Sequence, residues 1–124
     1  MKKVLITTRL LKSNEERISK LWDAKFNLNN EIYSEDKLIE LSKDCDGILS
    51  SIVDKIDEKI INKFSDRVKI ISNFAVGFGN IDIKAARKRD IVVTNTPNVL
   101  TDATAEIVML LILAASRRAA EGMQ

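Results

Sequence analysis

The stretch Val68-Lys69-Ile70-Ile71-Ser72-Asn73-Phe74-Ala75-Val76-Gly77-Phe78-Gly79-Asn80-Ile81-Asp82-Ile83-Lys84-Ala85-Ala86-Arg87-Lys88 decides the fold. Its apolar opening, Val68 to Ile71, predicts a buried strand, and Ile83 to Lys88 predicts a short helix with Asp82 as N-cap. Gly77 and Gly79 therefore sit where a strand turns into a helix. Such a turn gathers backbone N–H groups beside the positive end of a helix dipole, which favours a small anion. Glycine adds access to positive φ and lets a ligand approach the backbone closely. The plainer alternative is a tight turn that binds nothing. A dinucleotide fingerprint, G-x-G-x-x-G, is not completed. Asp82 holds the place of its third glycine, where a carboxylate would repel a pyrophosphate and crowd the helix against the strand.

The same alternation extends outward from this stretch. Val4 to Thr7 predicts a central strand, and Ser13 with Glu16 forms a capping box ahead of a helix whose apolar face is Ile18, Leu21 and Trp22. Trp22 is expected to pack in the core. Phe26-Asn27-Leu28 suits an edge strand, and Glu35 to Ser42 a helix capped by Ser34 that turns Leu38, Ile39 and Leu41 inward. Asp46 to Ser51 supplies a third strand, and Asp57 caps a helix that buries Ile60, Ile61 and Phe64. Downstream, Lys84, Arg87, Lys88 and Arg89 form a basic, solvated face, and Ile91 to Asn95 is a fifth strand closed by Pro97. The strands are short, apolar and rarely alternating, as in a parallel sheet covered on both faces. The expected fold is α/β and flavodoxin-like, a five-stranded parallel sheet with helices on both faces. Its functional loops at the carboxyl edge are Thr7–Leu11, Ser50–Asp54, Asn73–Asn80 and Asn95–Thr101.

Composition narrows the function classes. The 124 residues are 45% hydrophobic and 31% charged, an ordinary balance for one soluble globular domain. A net charge of +2 argues against nucleic-acid and membrane partners. Met1 to Thr8 lacks the apolar core of a signal peptide, and the single cysteine, Cys45, fits a reducing compartment, so a cytoplasmic location is expected. Cys45 reads as a small buried hydrophobe, because no histidine exists to activate it. No metal site is expected. A phosphorylatable receiver domain shares this fold, yet the strand ends here read Thr7-Thr8-Arg9, Ser50-Ser51 and Asn95-Thr96-Pro97, which cannot hold a hard cation strongly. An interaction module without catalysis remains the second reading.

Asn73 to Asp82, then Ile91-Val92-Val93-Thr94-Asn95-Thr96-Pro97, then Asp102-Ala103-Thr104-Ala105-Glu106 and an apolar helix ending in Arg117-Arg118 together resemble the D-isomer-specific 2-hydroxyacid dehydrogenases of the glyoxylate and hydroxypyruvate reductase type. The resemblance spans essentially the whole chain. It implies a substrate-binding domain over residues 1–100 and an interdomain crossover helix over 101–124, ahead of a dinucleotide-binding domain that follows Gln124. It also implies NAD or NADP as cofactor in the intact enzyme and a small 2-keto acid as substrate. By the same resemblance the Val76 and Gly77 amides hold the substrate carboxylate, Ser51 and Ile52 wall the pocket, and Thr104 touches the cofactor. The family's acid/base histidine and substrate arginine belong to a later segment, so no catalytic residue is expected in this chain. The unbroken apolar run Ile107 to Ala115 is too short to span a bilayer. Apolar on all sides, it needs cover from more than its own domain, and a homodimer through this helix is expected.

Overall fold

The computed structural model describes residues 1–124. Strand and helix alternate as β1 (Lys3–Ile6), α1 (Lys12–Leu21), β2 (Asp23–Phe26), α2 (Glu35–Ser42), β3 (Gly47–Ser51), α3 (Glu58–Ile61), β4 (Ile70–Phe74), α4 (Ile83–Lys88), β5 (Val92–Thr94), α5 (Thr101–Ser116) and α6 (Ala119–Gly122). All five strands pair in parallel in the order β2-β1-β3-β4-β5, the flavodoxin-like arrangement that the alternation predicts. A helix fills each crossover because parallel neighbours cannot be joined by a tight turn.

Register decides which side chains share a face of the sheet. Leu5 pairs with Ile48, Ile48 with Ile71, and Ile71 with Val93. This row packs against Leu38 of α2, Ile60 and Ile61 of α3, and Ala85 and Ala86 of α4 to form the main core. Each large aliphatic buried there contributes about 1.5–3 kcal/mol. The next row, Val4, Gly47, Ile70 and Val92, faces the other way. On that side Ile18 of α1 shares an open cleft of about 420 Å³ with Val4, Ile6, Leu49 and Ile70. Helices thus lie on both faces, but unequally: Ile70, Phe74 and Val92 remain exposed.

That imbalance corrects the expectation for α1. Ile18 is buried as predicted, whereas Leu21 and Trp22 are exposed, because no further helix closes over the α1 side of the sheet. The predicted Ser13–Glu16 box is also absent. The N-cap is Leu11, with no side-chain cap, and it is Glu15 that reaches back, accepting from the Leu10 N–H at 3.1 Å and from the Arg9 guanidinium at 2.9 Å. The positive charge of Arg9 makes that bond the stronger of the two choices. The other predicted caps form as expected. Ser34 accepts from the Lys37 N–H at 3.2 Å, Asp57 from Ile60 at 3.1 Å and Asp82 from Ala85 at 2.9 Å.

Strand limits shift by a few residues. β2 ends at Phe26, and Asn27 is buried outside it, its Nδ2 donating to the Thr7 and Glu31 carbonyls at 2.8 and 2.7 Å. β4 starts at Ile70 and continues to Phe74, further than its apolar opening suggests. The basic face holds one exception. Arg89 donates to the Ile61 and Phe64 carbonyls at 2.5 and 2.8 Å and to Asp66 at 2.7 Å, which pins the end of α3 to α4. α5 ends at Ser116 instead of Arg118, and Arg118 turns the chain at φ 51° into α6. No residue of α5 is buried.

Ionic ties hold the amino-terminal side of the sheet. The Lys25 and Lys3 ammonium groups bond Asp44 and hold its carboxyl well below the usual carboxylate range. The Lys3 backbone N–H at 2.8 Å, then the Arg67 guanidinium at 3.2 Å, lower that of Asp46. A carboxyl with a depressed folded pKa contributes stability above its unfolded value of about 3.9, lost as pH falls through the folded value. The melting temperature should therefore fall on acidification below about pH 4. In the double variant Asp44→Asn, Asp46→Asn that decline should be visibly shallower, and melts followed by circular dichroism across the range compare the two. Equal slopes would show that these carboxylates do not carry the acid sensitivity.

Candidate functional site

Beyond Phe74 the chain crosses the carboxyl edge of the sheet as an exposed loop, Ala75 to Asn80, before entering α4. The loops after β3 and β5 flank it, because β3, β4 and β5 are neighbours in the sheet. The loop carbonyls are held from these neighbours. The Thr96 N–H donates to the Ala75 carbonyl at 2.9 Å, Asn95 Nδ2 to the Val76 carbonyl at 2.7 Å, and Asn73 Nδ2 to the Gly77 carbonyl at 3.0 Å. The backbone N–H groups from Val76 to Asn80 donate to no acceptor in the chain, those of Val76 and Gly77 among them. Adjacent unpaired amides on an exposed loop are groups with which a small anion can pair.

The glycines serve this arrangement differently from expectation. Neither Gly77 nor Gly79 takes a positive φ. A Cβ built on either would meet nothing within 4 Å. What they leave is open space beside the free amides. The helix end is not part of this set of amides: α4 has only six residues, and its first turn is already occupied by the Asp82 carboxylate. A dinucleotide pyrophosphate does not fit there, for the same reason.

A buried amide network supports the loop from below. Asn73 is fully enclosed on β4, its Oδ1 accepting from Ser50 Oγ at 3.0 Å and its Nδ2 also donating to Asn80 Oδ1 at 3.0 Å. Asn80 Nδ2 in turn donates to the Ser51 and Asp54 carbonyls at 3.0 and 2.9 Å. Asp54 is buried as well and accepts from Thr7 Oγ1 at 2.5 Å and from the Ser51 N–H at 2.9 Å. The ends of β1, β3 and β4 are thereby joined through three polar side chains. Sequence reasoning did not single out Asn73, Asn80 or Asp54. A signal was present for the first, since Asn73 stands two residues after Ile71 on a strand and so points into the same core.

The residues expected from sequence divide into two groups. Val76 and Thr104 line one cleft of about 540 Å³ between the loop and α5, together with Leu100, Val108 and Met109, whereas Gly77, the next residue along the loop, is not part of its lining. Ser51 and Ile52 do not line that cleft. Ser51 is buried, with Oγ 3.4 Å from Asp54 Oδ2, and Ile52 is exposed on the adjoining loop. The two loops communicate through Asn80. Elsewhere, Cys45 is fully buried, and burial pushes its thiol up from the ordinary value. No group of three His, Cys, Asp or Glu side chains could hold a metal ion. No helix is long and apolar enough to cross a membrane.

Comparison with known proteins places this geometry in a class. Residues 4–124 match the model of the D-isomer specific 2-hydroxyacid dehydrogenase catalytic domain, and the chain belongs to that family. It is 37% identical to the glyoxylate reductase of Thermococcus litoralis over 119 residues, which is 96% of this chain and 36% of that protein. It is 36% identical to the glycerate dehydrogenase of Hyphomicrobium methylovorum over 121 residues, covering 98% of this chain and 38% of that one. A solved chain from Polaromonas sp. JS6 66, which carries the name D-isomer specific 2-hydroxyacid dehydrogenase, NAD-binding, superposes with a TM-score of 0.84 at 30% identity, over 93% of this chain and 36% of that one. This chain therefore spans little more than a third of the relatives it matches.

Replacing Asn80 by Ala would strand the Asp54 carbonyl and one Nδ2 proton of Asn73, and would leave the Ser51 carbonyl with the Asp54 N–H alone. Unsatisfied buried groups cost about 1–3 kcal/mol. A urea midpoint lowered by that amount is expected, with faster amide exchange in both the 51–54 and 75–80 loops. Faster exchange in one loop alone would show that Asn80 does not couple them.

Proposed function

We propose that this chain is the substrate-binding portion of an NAD(P)-dependent D-2-hydroxyacid dehydrogenase that reduces a small 2-keto acid such as glyoxylate or hydroxypyruvate. The observation that carries the reading is the pair of unpaired amides at Val76 and Gly77, set in an open loop with room for a ligand. On this reading they hold the substrate carboxylate, Ser51 and Ile52 wall the keto-acid pocket, and Thr104 meets the cofactor. The Thermococcus and Hyphomicrobium relatives, named for glyoxylate and glycerate chemistry, support the substrate class. Residues 1–100 form the substrate domain, and 101–124 lead across to a dinucleotide-binding domain. Thr104 alone cannot hold a pyrophosphate, so the cofactor is held by that further domain. A cytoplasmic location fits the single, buried, unpaired Cys45.

Reduction of a keto acid needs a proton donor at the carbonyl oxygen, and the chain has no histidine to provide it. It should therefore bind but not turn over. Oxalate or glyoxylate added to the ¹⁵N-labelled chain should shift the Val76 and Gly77 amides most. A bidentate arginine would add about 1.5–3 kcal/mol to such a contact, so affinity without one is expected roughly one to two decades below that of a micromolar-to-millimolar substrate. Largest shifts at Lys84–Arg89 would misplace the site. Glyoxylate-dependent NADH oxidation by the 124-residue chain would refute the reading that turnover needs residues outside it. A protein ligand that binds this edge while small acids do not would favour the interaction-module reading.

Without that further domain to cover it, α5 of the 124-residue chain pairs with a second copy of the chain. Ile107 to Leu113 are all between 49% and 61% exposed, on every side of the helix. Burying three or four such side chains yields roughly 1.5–3 kcal/mol each, a strong drive to pair. Sedimentation should give a dimer for the wild-type chain, and a folded monomer when Met109 and Ile112 are replaced by Glu. A wild-type monomer at high concentration would contradict pairing through this helix.

A further inference from the structure

We infer that Asn95 is a positioning residue that aims and strengthens the Gly77 amide for the substrate carboxylate; the inference rests on the assignment of the Val76 and Gly77 amides to that carboxylate. A trans peptide unit is planar, so the carbonyl of one residue and the N–H of the next point in opposite directions. The chain contains no cis peptide bond. A hydrogen bond on the Val76 carbonyl therefore fixes where the Gly77 N–H points, and a bond on the Ala75 carbonyl fixes the Val76 N–H. The first is made by Asn95 Nδ2 at 2.7 Å and the second by the Thr96 N–H at 2.9 Å. Both receptor amides are thus set by two consecutive residues leaving β5. Only one of the two bonds comes from a side chain, and that side chain can be changed without touching the backbone.

Asn95 is itself well placed to act as a fixed point. It is the first residue past β5, where Thr94 is in register with Ser72 of β4 and donates from Oγ1 to Ser72 Oγ at 2.9 Å. The β4–β5 ladder thereby holds both ends of the contact, the loop that follows β4 and the side chain that follows β5. The bond also polarises the peptide it lands on. Chained hydrogen bonds strengthen one another by about 10–30% each, so a donor at the Val76 carbonyl makes the Gly77 N–H the better donor to an anion. A loop whose amides are aimed before the ligand arrives loses less freedom on binding. Asn95 is only half-buried and belongs to no core cluster, so its removal should leave the fold standing.

The test compares the 124-residue wild-type chain with Asn95→Leu, which keeps the size and loses the donor, with Asn95→Ala, and with Asn95→Gln, which keeps a donor on a longer arm. Oxalate is titrated against each ¹⁵N-labelled protein, and melting temperatures are recorded alongside. A misaimed Gly77 N–H forfeits its net hydrogen bond to the carboxylate, which corresponds to about a three- to ten-fold weaker affinity. We expect that loss in the Leu and Ala variants at an unchanged melting temperature, with partial recovery in the Gln variant. In the unliganded proteins the Gly77 amide proton should move upfield and exchange faster, while that of Val76, held through Thr96, stays in place. Wild-type affinity in the Leu and Ala variants, with normal Val76 and Gly77 shifts in the wild type, overturns the role of Asn95 and leaves the carboxylate site intact. Binding that falls only in step with melting temperature reduces Asn95 to a structural residue and also overturns it. A wild-type chain whose Val76 and Gly77 amides ignore oxalate removes both the site and the inference.

Discussion

The carboxyl edge of this domain depends on the hydrogen bonds exchanged between two asparagine amides, Asn73 and Asn80. Asn73 sits inside the β3–β4 ladder, in register with Ser50 and on the same face as Ile71 and Ile48, so its amide must be satisfied within the protein. Ser50, Gly77 and Asn80 do so, and Asn80 passes the connection on to the Ser51 and Asp54 carbonyls. A partly satisfied network in that position would cost more than an apolar one. Because the bonds close, the polar core instead determines a single relative placement for the loops after β3 and β4. The backbone continues the tie, with the Ile56 N–H donating to the Asn80 carbonyl at 2.8 Å and the Asp82 N–H to that of Ile56 at 2.9 Å.

Much of the fold was legible because it follows from local chemistry. Ser34, Asp57 and Asp82 could be named as caps, since each bond reaches only three residues along the chain. Ser13 was misread because Arg9 recruits Glu15, a charge-assisted choice that a spacing rule does not weigh. Trp22 was misread for a different reason. Apolar spacing identifies a face but not the element that covers it, and here the sheet beside α1 stays open. The parallel sheet followed from alternation, and the count of five β/α units suggested the flavodoxin-like order that is observed.

The site was legible in part. The loop and its exposed amides lie at the strand ends where an α/β sheet places them. Of the two properties expected of the glycines, positive φ is not used, and the open space around Gly77 and Gly79 is compatible with close approach of a ligand to the backbone. Arg89 was hidden among basic neighbours, because its partners Ile61 and Phe64 are carbonyls from a distant segment. Asn95 was hidden likewise: its partner, the Val76 carbonyl, lies 19 positions away in sequence. Contacts of this kind exist only once the sheet has brought β4 and β5 together.

On the proposed assignment of the Val76 and Gly77 amides, these features explain how an anion site can be built without a helix terminus. The α4 end is spent on its own Asp82 cap, so its dipole offers little to a ligand one turn further off. Loop amides lack a helix's regular alignment and would ordinarily fluctuate. Here each peptide unit from Ala75 to Phe78 is held through its carbonyl by a donor from β4, from Asn95 or from Thr96. The carbonyls are occupied and the N–H groups are left over, which gives the loop one electrostatic sign toward solvent. Donors fixed in advance need no reorganisation when charge arrives, and that is the condition under which a hydrogen bond contributes most to holding an anion. The register of two neighbouring strands, a property of the whole sheet, thereby becomes the aim of two amide protons at its edge.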